Sequence, residues 1–96
     1  MAASAPNRPI PHFNLAHTAY AASTLFRRNA VTEDEVDASE DLIEPMFDAM
    51  LAAPARTPRQ IAEKARAILD ECEISVEPYM VEALYRDLVA LAEAVQ

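Results

Sequence analysis

A chain of 96 residues without a single glycine lacks the residue that tight β-hairpin turns require, so the fold is expected to be all-α, with no sheet. Its formal net charge of −8 argues against a nucleic-acid binder, which presents a basic face to phosphates, and against adsorption to anionic membranes. Hydrophobic residues make up 52% of the chain, enough for one core, yet no window approaches the roughly 18 apolar residues of a membrane span.

Residues 1–10 are expected to form a flexible tail, and residues 11–96 a single helical-bundle domain. Residues 1–32 contain no acid, only Arg8, Arg27 and Arg28 among many alanines and serines. That composition fits an organelle targeting segment as well as an ordinary first helix, and both readings stay open. His12, Asn14 and His17 interrupt any apolar run a secretory signal would need. A helix is expected from Pro11–Asn14 to about Arg28, with Leu15, Ala19, Ala22 and Phe26 in one apolar line. Phe13, Ala16 and Tyr20 lie beside that line, Arg27 and Arg28 suit the negative end of the helix, and Asn29 is the natural left-handed stop.

Thr32 and Glu35 then form a capping box, with Val31 and Val36 at the flanking staple positions. The second helix should run from Glu33 towards Ala53, its inner face defined by Val36, Ile43, Phe47 and Met50. Pro45 lies in its interior and predicts a kink near Asp41–Pro45, or two short helices meeting there. Between Asn29 and Ala55 the chain carries eight acids and no Lys or Arg. Most of these acids fall in one stripe. Asp37, Glu40, Asp41, Glu44 and Asp48 are the candidate contacts for a basic partner, against the simpler reading of a solvated face.

The segment Ala53–Arg56 is the clearest break, and Thr57-Pro58-Arg59-Gln60 restarts a helix with a cap, a first-turn proline and a capping-box partner. Ile61, Ala65, Ile68, Leu69 and Cys72 share one side of this third helix; Arg59, Glu63, Lys64, Arg66 and Asp70 share the other. Ile74 and Tyr79 are placed to staple a cap at Ser75, with Pro78 opening the fourth helix. There Val81, Leu84, Leu88, Leu91 and Val95 follow at spacings of 3, 4, 3 and 4, a sustained apolar seam centred on Leu88. Glu82, Arg86, Asp87 and Glu93 fall on the other side. The expected architecture is therefore a four-helix up-down bundle joined by short connections.

No catalytic constellation is recognised. His12 and His17 are separated by about 140° on a helix, so they do not share a metal on one face, and they read as surface or capping groups. The lone Cys72 reads as a small buried apolar side chain, and a single thiol fits a reducing cytoplasm. The acids around Asp34–Glu44 lack the glycine and alternating oxygens of a calcium loop. Thr57–Glu63 with Ile74–Val76 imitates a helix-turn-helix, but the gap is too long and the second helix too acidic for DNA. No enzyme, cofactor, metal or small-molecule substrate is therefore expected.

The segment Ala53–Arg66, with its Thr-Pro break and its Glu63-Lys64-Ala65-Arg66 helix, resembles the central part of small proteobacterial and prophage-encoded helical proteins. That resemblance implies a bacterial or phage cytoplasmic origin, and no functional residue is carried over by it. The functional expectation is a non-enzymatic acidic protein acting through protein–protein contacts, as a homodimer through Val81, Tyr85, Val89 and Ala92. The rival is an acidic inhibitor or adaptor, in its extreme form a nucleic-acid mimic, that docks a basic protein through the acidic stripe.

Overall fold

In the computed structural model, which describes residues 12–72 and 75–94, the chain is an all-α bundle of four helices. They are α1 Phe13–Asn29, α2 Glu33–Ala52, α3 Pro58–Glu71 and α4 Pro78–Ala94, and no strand occurs among the described residues. The expected tail, together with Ile74 and Val95, lies outside the described residues.

The starts of α2 and α3 follow their sequence signals. The Glu35 N–H donates to Thr32 Oγ1 over 3.1 Å while the Thr32 N–H donates to Glu35 Oε1 over 3.0 Å, a closed capping box. Backbone N–H groups of Thr32 and Val31 hold the Glu35 carboxyl below its ordinary value. Val31 itself stays exposed, so the expected staple buries little. Thr57 caps α3 by accepting the Gln60 N–H over 3.1 Å, and Pro58 opens the helix. The Gln60 side chain reaches back to the Arg56 N–H over 2.8 Å and donates to Asn14 of α1 over 3.3 Å. In α4 the helix opens at Pro78, which puts Glu77 rather than Ser75 just before it.

Two local expectations are corrected. Asn29 is not a left-handed stop: it remains helical, and Ala30 leaves α1 in extended backbone at φ −68°, ψ 131°. Ala30 and Thr32 carry the chain into α2 in extended conformations, so this connection asks for no left-handed residue at either position. Nor does Pro45 divide α2, which is continuous through it. Pro45 and Asp41 are both exposed, so water can serve the Asp41 carbonyl that the proline leaves without a donor.

The chain runs up and down through two layers. Tyr20 of α1 meets Phe47 of α2 with ring centroids 5.6 Å apart, the pair forming an antiparallel hairpin. Along α3, Gln60 meets Asn14 and Glu71 meets Arg27, so α3 runs parallel to α1. Lys64 meets Asp87 and Cys72 meets Met80, so α4 runs back along α3. The Cα atoms span 51 × 37 × 21 Å, the proportions of a slab two helices thick, and their radius of gyration is 15.0 Å. A compact chain of this length would measure roughly 12 Å.

Two inner faces are rotated from expectation. In α1, Phe13, Ala16, Tyr20 and Ser23 are buried, while Leu15, Ala22 and Phe26 are exposed. Ser23 on α1 and Ser39 on α2 are both buried, each hydroxyl donating to a carbonyl of its own helix. In α4 the inward line is Met80, Leu84, Asp87 and Leu91 rather than the seam through Val81 and Leu88. Leu88, the expected centre of that seam, is 49% exposed.

Candidate interaction surface

What holds α4 in this orientation is a buried polar node. α2 ends at Ala52 with carbonyls that have no intrahelical donor and no basic residue in its own last turn. Lys64 of α3, 0% exposed, supplies the missing cation. Its Nζ donates to Leu51 O over 3.0 Å, Ala53 O over 2.7 Å and Asp87 Oδ2 over 2.6 Å, using all three ammonium protons. It also lies 5.6 Å from the centroid of the Phe13 ring. Burial pushes the ammonium below its ordinary pKa, and the hydrogen bond and charge of Asp87 act in the opposite direction. Asp87 Oδ2 takes a further N–H from Ala55 over 3.1 Å, and Arg86 joins Asp87 Oδ1 to Leu51 O. Both Lys64 and Asp87 were expected on solvent-facing sides. The structure places them in the core, because the end of α2 and the Ala53–Ala55 connection need donors and an acceptor there.

A second node ties α1 to α3. Glu71 accepts from the Tyr20 hydroxyl over 2.7 Å and from Arg27 over 3.0 and 3.3 Å. Burial alone raises the Glu71 carboxyl pKa, but the hydrogen bonds from Arg27 and Tyr20 outweigh it and leave the group below its ordinary 4.5. Burial first, and the Glu71 contact second, raise the Tyr20 hydroxyl. The half-buried Cys72 sits 3.2 Å from the sulfur of Met80, and burial raises its thiol pKa. His12 precedes α1 without a capping bond, and His17 stacks on Phe13 at 5.5 Å.

With Asp87 turned inward, the apolar side of α4 points away from the bundle. Met80 and Asp87 are the buried residues of this helix, whereas Val81 is 53% and Tyr85 68% exposed, with Val89 and Ala92 exposed as well. All four expected self-association residues therefore stand on the surface. At 100° per residue, Val81, Tyr85, Leu88 and Ala92 fall within about 60° of one another, on the flank away from the Tyr79–Ala83–Arg86 side that meets α2. On α3 the side away from α1 carries Pro58, Ala62, Ala65 and Leu69, and Leu69 is 61% exposed. Neither row contains a charged residue. The contribution of α3 was not anticipated, although its spacing of Ala62, Ala65 and Leu69 was there to be read.

The five expected partner-binding acids, Asp37, Glu40, Asp41, Glu44 and Asp48, are all exposed on α2. The last four line one shallow groove with Pro45. Among the described residues none of the five forms an ion pair. No helix among the described residues is long and apolar enough to cross a membrane. Comparison with known protein families, curated proteins and solved structures gives no match to the chain.

Proposed function

We propose that the protein acts without catalysis, through protein–protein contact, and that its first partner is a second copy docked on the outer face of α4. The observation carrying this reading is the exposure of Val81, Tyr85, Leu88 and Val89 on a helix that buries little else. An apolar row of this kind on a small domain marks a contact surface or an aggregation hazard. Light scattering coupled to gel filtration tests it, with an expected mass of twice the 10.6 kDa chain. Tyr85→Lys, at an exposed position, should restore the monomer mass without loss of helical circular dichroism. A wild-type chain that elutes as a monomer at every concentration would sink the reading.

The acid row of α2 favours a second reading, in which those carboxylates dock a basic protein. Replacing Asp37, Glu40 and Glu44 by Lys should then abolish capture of a partner in a pull-down. Unchanged capture would leave the row as solvated surface. The single thiol and the likeness of Ala53–Arg66 to proteobacterial and prophage helical proteins favour a cytoplasmic setting for either role.

A further inference from the structure

We infer that α4 has a second rotation open to it, about 50° away about its own axis, and that the buried Lys64–Asp87 pair is the latch that holds the observed one. The inference concerns how α4 sits on its own chain, and it stands whatever covers the outer row. Two rotations are written side by side in the sequence. Met80, Leu84, Asp87 and Leu91 make the observed inward line, whereas Val81, Leu84, Leu88 and Leu91 make the line that hydropathy alone selects. At 100° per residue the centres of the two lines differ by about 50°, and Leu84 and Leu91 belong to both. A roll of that size exchanges Asp87 and Met80 for Leu88 and Val81.

The observed rotation leaves Val81 and Leu88 half exposed while a carboxylate lies in the core. Hydrophobic burial alone favours the reverse. Local chemistry opposes it: Lys64 Nζ donates to Asp87 Oδ2 over 2.6 Å, the Ala55 N–H donates to the same oxygen over 3.1 Å, and Arg86 donates to Oδ1 over 3.2 Å. Without its cation, a buried carboxylate is strongly unfavourable and is driven towards water. The roll takes Asp87 to the direction Ala83 now holds, beside the open groove between α2 and α4. It also brings Val81 and Leu88 to the directions of Leu84 and Leu91, and it parts Met80 from the Cys72 sulfur, now 3.2 Å away.

Methyl NOE spectroscopy on the full chain reads the rotation, with circular dichroism checking that the helices remain. In the wild-type chain the Met80 methyl should contact the core and the Leu88 methyls should not. Lys64→Met should invert the pattern: Leu88 and Val81 gain contacts to buried side chains such as Met50 and Ile68, and Met80 loses its contact with Cys72. Adding Asp87→Leu should restore the wild-type pattern, because a leucine at that position stays inside without a cation. Asp87→Ala reads the same change from the α4 side of the pair, since it leaves a gap that Leu88 fills by the roll, and it decides the question where Lys64→Met does not fold. Leu88 remaining outside in both single variants, or moving inside in the double variant as well, overturns the latch. Loss of fold in both single variants overturns it too, because a second rotation would have rescued them. None of these outcomes depends on whether the wild-type chain self-associates.

Discussion

At the scale of single residues, Lys64 and Asp87 do most to decide how the helices meet. Breaking a buried pair by removing one partner costs about 3–5 kcal/mol, because the other charge is left without compensation. Lys64→Met also strips donors from Leu51 O and Ala53 O, so urea unfolding is expected to show a loss in that range. Adding Asp87→Leu should recover a large part of it, and a loss below about 1 kcal/mol for Lys64→Met would contradict the buried node. Glu71 makes a separate, pH-dependent contribution. Its folded pKa lies below 4.5, so its stabilisation is fully present above that value and is lost as pH falls through the folded pKa. Acid titration of stability should therefore steepen below pH 4.5, and Glu71→Gln should flatten that limb. Neither node was read from the sequence, where a wheel sorts Lys64 and Asp87 outward on charge alone. A signal was nonetheless present: Lys64 sits between Ile61 and Ile68, and Asp87 between Leu84 and Leu91, at the spacings of an inward line.

Among the helices, boundaries were more legible than faces. The Thr32–Glu35 box and the Thr57–Pro58 start are local hydrogen-bond chemistry, and both form as written in the sequence. Thr32→Ala should cost about 1 kcal/mol by thermal or urea unfolding, the usual worth of such a cap. The faces of α1 and α4 were ambiguous because both helices carry apolar residues around much of their circumference, as Leu15 and Leu25 or Val81 and Tyr85 show. For α4 a tertiary feature, the Lys64–Asp87 pair, chose between the solutions. Pro45 offers a direct check on α2. The helix runs through it at an exposed site, and proline in a helix interior is about 3 kcal/mol worse than alanine, so Pro45→Ala should stabilise by about 1–3 kcal/mol. A destabilised variant would show that the ring itself is needed. Leu88→Ala, with Leu88 half-exposed, should cost the isolated chain under about 1 kcal/mol, below the 2–5 kcal/mol of a buried leucine.

For the molecule as a whole, two layers leave every helix with an outward side, and the sequence loads these sides differently. Leu15 and Leu25 are exposed on α1, whereas the exposed positions of α2 include Asp34 and Asp41. The outward row of α4, Val81, Tyr85, Leu88 and Ala92, has no such interruption. That contrast is what favours the outer side of α4 for the proposed self-association. The most direct test is a dilution series followed by amide chemical shifts. Shifts at Ala62, Leu69, Val81, Tyr85, Leu88 and Ala92 should change with concentration, while those at Leu15, Leu25 and Asp41 hold still. Changes confined to the α1–α2 side, or none at all at concentrations where relaxation rates report a 10.6 kDa particle, would contradict the assignment.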